Sequence, residues 1–243
     1  MSDDESVLSR GARAADRIIA YGAAPDQIME VRVGAAGAGR RPLVLIIHGG
    51  FWRPDIDRVH ARPMADAIAA AGFTVALPEY ARVAQNPAPT LADLTLVLRQ
   101  AADLVDHHNG SVLLLGHSAG GQLVLWATAA RICATVIGTV ALAPVADLRL
   151  AAELGQGSGA VARFLGADPV SRPDIDPRRM AAPVSATTII HGVEDEIVPL
   201  RVSESYVAAH PAVRLIAVAG AGHFALIDPT SAAWPIVMAQ LLR

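Results

Sequence analysis

The sequence predicts an α/β fold, a mostly parallel twisted sheet with helices on both faces, and three observations carry that prediction. Apolar runs of strand length recur between longer stretches of helical period, the order expected of βαβ units. Those runs are apolar throughout rather than alternating, as strands buried on both faces require. The chain has 243 residues, of which 53% are hydrophobic, enough to fill one large core, so a single domain over residues 1–243 is expected.

Taken in order, the first run is Ile28–Val33 and the second Leu43–Ile47. The glycine-rich stretch from Gly34 to Gly39 between them precedes a strand and opens no helix, so it reads as a hairpin turn rather than a dinucleotide-binding loop. A helical stretch, Val59–Ala71, leads into the strand Phe73–Leu77. The next helix, Leu91–His107, carries a start signal: Thr90 can cap, Asp93 lies three residues on, and Leu91, Leu94, Leu98 and Ala101 keep the apolar period. The strand Val112–Leu115 passes through Gly116-His117-Ser118-Ala119-Gly120 into the helix Gly121–Ala130, and the strand Val136–Leu142 follows.

From Asp147 to Pro183 the alternation breaks. This stretch holds a Gln156-Gly157-Ser158-Gly159 loop, a short helical piece near Ala160–Leu165 and several prolines. Too short for a domain of its own, it reads as a small insertion (147–183) over the carboxyl ends of the strands, where loops of open α/β sheets carry ligand contacts. The strands Thr187–Ile190 and Val213–Val218 and the helices Val202–Ala209 and Ser231–Leu242 complete the series.

Composition excludes several partners. The net charge of -3 comes from dispersed charges without basic runs, which argues against nucleic acid and against an anionic membrane surface. Arginine supplies the cations, with no lysine anywhere, a coding bias that carries no functional signal. The acidic opening Met1-Ser2-Asp3-Asp4-Glu5 lacks the blocks of a signal peptide, and no apolar run approaches membrane-spanning length, so a cytoplasmic protein is expected. Cys133 is the single cysteine and is expected to be a small buried side chain. With no His-x-x-x-His or His-Glu-x-x-His pair, neither a metal nor any other cofactor is expected. The sequence leaves room for a homo-oligomer.

The chemistry gathers at strand ends. Ser118, on a glycine-flanked junction of strand and helix, has the setting of a nucleophile elbow. A serine hydroxyl needs a base to take its proton and an acid to hold that base. Asp195 follows one later strand and His223 another, in the chain order Ser, Asp, His. Glu194 and Glu196 flank Asp195 as alternative acids, while His191 reads as a strand-end histidine bonded to backbone. His107 and His108 end a helix, where an imidazolium suits the dipole. Donors for an oxyanion would come from the N–H of Ala119 and from His48-Gly49-Gly50-Phe51-Trp52, directly after the second strand. Trp52 is a candidate pocket wall, packing residue or both.

With these elements in place the chain resembles the α/β-hydrolase superfamily, and within it small esterase-like members with a His-Gly-Gly-x-Trp loop, a group that includes the kynurenine formamidases. The likeness runs over nearly the whole chain, through Tyr21-Gly22, Glu79-Tyr80-Ala81-Arg82, Gly116 to Gly121, Asp195 to Pro199 and Gly222-His223-Phe224. It implies that Ser118 is the nucleophile, His223 the general base and acid, Asp195 its orienting partner, and Gly50, Phe51 and Ala119 the oxyanion donors. Phe51 stands where hormone-sensitive-lipase relatives carry a third glycine, and their large cap is missing, so a bulky lipid is disfavoured. The expected substrate is a small-molecule ester cleaved through an acyl-serine, or alternatively the formamide of N-formylkynurenine. Crowding by Phe51, Trp52 and Phe224 would favour the formamide. A non-catalytic binding protein of the same fold is the third reading; such proteins usually lack a triad or oxyanion residue, and none is missing here.

Overall fold

The computed structural model describes residues 5–35 and 37–242. Met1 to Asp4 of the acidic opening, and Ala36 in the glycine-rich turn, lie outside the described residues.

Among the described residues eight strands form one sheet: β1 (Arg17–Ala20), β2 (Ile28–Arg32), β3 (Leu43–Ile47), β4 (Val75–Pro78), β5 (Val112–His117), β6 (Val136–Leu142), β7 (Ala186–Gly192) and β8 (Arg214–Val218). Their order is β1-β2-β4-β3-β5-β6-β7-β8. From β4 to β8 all neighbours run parallel, while β1 and β2 join antiparallel. The seven expected runs all become strands; β1 is additional. It is a four-residue edge strand with alternating exposure and a solvent-facing Ile18, so it lacks the continuous apolar run that marks a strand buried on both faces.

Among the described residues seven α-helices flank the sheet: α1 (Arg62–Ala70), α2 (Ala88–Leu104), α3 (Ala119–Ala129), α4 (Leu148–Glu153), α5 (Ala160–Leu165), α6 (Arg201–Ala209) and α7 (Trp234–Leu241). Strand β3 shows why its five residues are all apolar. Leu43, Leu45 and Ile47 face a core shared with Leu94 and Leu98 of α2 and Leu123 of α3. Val44 and Ile46 point the other way, into a core shared with Met64 and Ile68 of α1 and Val237 and Leu241 of α7. Each such fully buried side chain contributes about 1.5–3 kcal/mol relative to exposure.

Three local expectations are corrected. Helix α2 begins at Ala88, so Thr90 does not cap it. Thr90 Oγ1 donates instead to Ala81 O (2.6 Å), and Asp93 accepts from Ala81 N (2.9 Å) and Gln27 Nε2 (2.7 Å). Pro87 and Pro89 start the helix earlier, which frees both side chains to tie it to the chain after β4. The same helix ends at Leu104, leaving His107 and His108 beyond it; His108 Nε2 donates back to Ala102 O and Val105 O (3.1 and 2.8 Å). Cys133, in the turn between α3 and β6, is half-buried rather than buried, its Sγ 3.0 Å from Thr135 Oγ1. Among the described residues no helix is long and apolar enough to cross a membrane.

Candidate active site

Ser118 joins β5 to α3 with φ 55 and ψ -118, a conformation that a side-chain-bearing residue adopts only under strain. The turn is imposed from both sides: its N–H donates to Leu142 O on β6 (2.8 Å), and its carbonyl accepts from Gln122 N (3.1 Å) and Val145 N (3.3 Å). The flanking glycines are required by space. A Cβ on Gly120 would run into the carbonyl oxygens of Ile47 and His48, and one on Gly116 into that of Gly120. Strand, helix and the loop after β3 therefore converge on the serine.

Asp195 lies in the turn after β7 and is buried, whereas Glu194 and Glu196 beside it are exposed. Its Oδ1 accepts from Ile197 N (2.9 Å) and Val198 N (2.7 Å), which leaves Oδ2 to accept from His223 Nδ1 (2.7 Å). Burial alone would raise the Asp195 pKa; hydrogen bonds from His191 and His223 more than offset it and hold the carboxyl well below its usual range. His191 is tied down as expected, Nε2 donating to Val198 O (2.7 Å) with Nδ1 2.7 Å from Ser203 Oγ. His223 follows β8 and is buried. His117 braces it: the rings lie 4.5 Å apart, and His117 Nε2 donates to His223 O (3.1 Å). Burial, with His223 and His60 nearby, lowers the His117 pKa far below the ordinary value, so that ring is a neutral brace.

A cavity of about 380 Å³ opens beside these groups. Ser118, His117, His223 and Phe224 form one wall and Gly50 and Phe51 another. Gly50 has φ 117 and Phe51 φ 55, in a turn closed by Arg53 N donating to Gly50 O (2.9 Å). Just before it, Gly49 packs so tightly against the elbow that a Cβ there would sit 3.1 Å from Ser118 Cβ. Ala119 is the first residue of α3, so its N–H belongs to the set that a helix leaves without an internal acceptor.

The loop is held from behind by a buried polar cluster. His48 lies between the Glu79 carboxylate (Nε2 to Oε1, 3.0 Å) and Gly49 O (Nδ1 to O, 2.7 Å). Tyr80 stacks on His48 at 4.5 Å and donates its hydroxyl to His48 O (2.7 Å). Glu79 also pairs with Arg82 and accepts from Arg58 N (3.1 Å). Burial would raise the Glu79 pKa, but the His48 ring and the Arg82 guanidinium pull it well below the usual carboxylate range.

Two open readings of the pocket are narrowed. Trp52 does not line it: the ring is buried, stacks on Phe164 of α5 (4.6 Å, 10° between planes) and donates Nε1 to Gln122 Oε1 (3.3 Å). With φ 53 directly after Phe51, the backbone reverses and sends the indole into the core. Nor do the described residues of the insertion 147–183 line the cavity. Its apolar side chains Leu148, Phe164, Leu165 and Ile175 are buried in the core instead, with Gly157 against Phe51 and Phe164 against Trp52.

The remaining lining residues were not expected: Leu8, and Asp55, Ile56, Asp57, Val59 and His60 from the segment between β3 and α1. The signal available for that segment was its place directly after the Gly49–Gly50 loop; Leu8 carries no local signal. His60 Nδ1 donates to Asp57 O (2.8 Å), and burial together with the neighbouring His48 lowers its pKa to about 4, so it is neutral at pH 7. Among the described residues no cluster of three His, Cys, Asp or Glu could hold a metal.

A family model described as BD-FAE matches residues 29–209, most of the chain. The fold is shared with a truncated carbohydrate esterase from gut microbiota (16% identity over 96% of this chain and 100% of that one, TM-score 0.77). It is shared equally with an acetyl ester-xyloside bifunctional hydrolase from Caldicellulosiruptor lactoaceticus (17%, 96% and 97%, 0.77). Esterase B of Lactobacillus rhamnosis, solved with a tributyrin phosphonate, gives 18% identity over 98% and 87% at a TM-score of 0.76. The curated proteins give no significant match. At these identities the likeness is one of fold.

Proposed function

The chain belongs to the BD-FAE family and has the α/β-hydrolase fold, and from that premise we propose that it is a serine hydrolase cleaving a small carboxylic ester through an acyl-serine intermediate. The observation that carries this reading is a strained elbow serine sharing one cavity with a histidine whose Nδ1–H is bound by an ionised, buried aspartate. The esterases among the similar folds support the same class of reaction.

In this reading Asp195 fixes the His223 tautomer, leaving Nε2 to take the proton of Ser118 Oγ as that oxygen attacks the ester carbonyl. The carbonyl oxygen becomes an oxyanion that accepts from Ala119 N–H and from the backbone of Gly50 and Phe51. The tetrahedral intermediate collapses, His223 returns the proton to the departing alcohol, and the acyl group stays on Ser118. Water then attacks the acyl-serine with His223 again as base, releasing the acid and restoring the hydroxyl. The hydrogen bonds that hold the Asp195 carboxyl below its usual range against the cost of burial keep it ionised for this role at neutral pH.

An ester is favoured over a formamide because Trp52, one of three aromatics whose crowding would select a formyl group, lies outside the cavity. Purified protein should hydrolyse p-nitrophenyl acetate, prefer it and the butyrate to N-formylkynurenine, and lose on the order of a millionfold in kcat on Ser118→Ala. Hydrolysis that survives Ser118→Ala overturns the reading, and a preference for N-formylkynurenine overturns the choice of ester.

A further inference from the structure

We propose that the 3-10 turn Glu5–Ser9, ahead of β1, is the outer wall of the cavity, with Leu8 a specificity-determining residue and Arg10 the positioning residue that holds it. The proposal rests on the esterase reading for what the cavity binds, and on contacts of its own for the wall.

A five-residue 3-10 turn has too few internal hydrogen bonds to persist unaided, so its place must be fixed from outside. Three anchors do this. Val7 is fully buried, in the same core as Phe224, Leu226 and Trp234. The turn packs on the 3-10 turn Arg58–Ala61, which supplies Val59 and His60 to the cavity. Arg10 then clasps the far side: its guanidinium donates to both Asp228 carboxylate oxygens (2.5 and 2.9 Å) and to Thr230 Oγ1 (2.7 Å). Asp228 is itself fixed by Thr230, whose N–H and hydroxyl donate to Oδ1 (both 2.8 Å). A planar, bidentate arginine pair on a nearly buried carboxylate is geometrically specific as well as attractive.

Asp228 lies just past the turn Phe224–Leu226, which begins at His223. The clasp therefore ties the turn that carries Leu8 to the loop that carries the base. Between those anchors Leu8 is half-buried and presents an apolar side chain to the cavity beside Val59 and Phe224. Such a side chain sets how far a substrate chain can extend, and one methylene in an apolar pocket discriminates about 10–200-fold.

The test measures kcat/KM in two series, p-nitrophenyl acetate to hexanoate and ethyl to hexyl acetate, for the native chain and for Leu8→Ala, Leu8→Trp, Arg10→Ala and Arg10→Lys. Leu8→Ala should shift one series about tenfold toward the longer chain and Leu8→Trp should shift it the other way. Arg10→Ala should follow Leu8→Ala at smaller amplitude, with partial restoration by Arg10→Lys. Binding of hexan-1-ol against ethanol by ligand-observed NMR reads the same wall without turnover. If the native chain hydrolyses nothing while hexan-1-ol affinity still tracks residue 8, the esterase reading falls and the wall stands. Ratios within twofold of native in both series, with unchanged hexan-1-ol binding in Leu8 variants of native near-UV circular dichroism, overturn it.

Discussion

Two segments meet at the carboxyl ends of the strands, the loop 48–61 after β3 and the stretch 147–183 after β6, and they do opposite jobs. The first gives Gly50, Phe51, Asp55, Ile56, Asp57, Val59 and His60 to the cavity. The second gives none among its described residues and spends its apolar side chains on the core, with Phe164 stacked on Trp52 and Gly157 against Phe51. One loop lines the cavity; the other packs behind it. A position over the strand ends therefore admits a segment to the neighbourhood of a site without making it a wall, because what lines a cavity depends on which face each loop turns inward.

The comparison can be broken most directly at Phe164. Phe164→Ala should cost about 3–5 kcal/mol, lowering the melting temperature by roughly 10 °C, while the chain-length preference of the remaining activity stays native. A changed preference at unchanged stability would make 147–183 a pocket wall after all.

His60, in the opposing loop, should show its effect through pH. Its folded-state pKa of about 4 lies below the ordinary value near 6.5. As pH falls through that interval the unfolded chain takes up a proton that the folded chain refuses, so the stability is present above about 6.5 and lost progressively down to about 4. The loss is about 2 kcal/mol for a half-buried ring, and His60→Gln should remove it. Urea unfolding at pH 7, 5.5 and 4 checks this; equal slopes in native and variant would assign the pH dependence elsewhere. The smallest effect is expected at Ile56, where Ile56→Ala should change the ratio of long to short esters about tenfold, some 1.4 kcal/mol in transition-state energy, with less than that lost in stability. Stability loss without altered preference would instead make Ile56 a core residue.

The residues that follow strands were legible because strand ends on a parallel sheet share one rim. Ser118 with His223, and Asp195 behind them, sit there in a cluster that chain order anticipates, as do Gly50 and Phe51. The sequence left Trp52 open between packing and lining because three successive positive φ values, at Gly50, Phe51 and Trp52, set the direction of its side chain, and no periodicity records them. Leu8 was invisible for a different reason. It reaches the cavity only after more than two hundred residues have brought Asp228 and Thr230 to meet Arg10.

The sequence by itself determined the α/β class, the parallel core strands and the residues that meet at the elbow, because burial on both faces and a glycine-flanked turn are local demands that leave local marks. Only the tertiary structure decided which surfaces face the cavity. Whether Trp52 packs or lines, whether 147–183 covers or supports, and whether Leu8 takes part are settled by backbone direction and by contacts between distant segments, which exist only once the chain has folded.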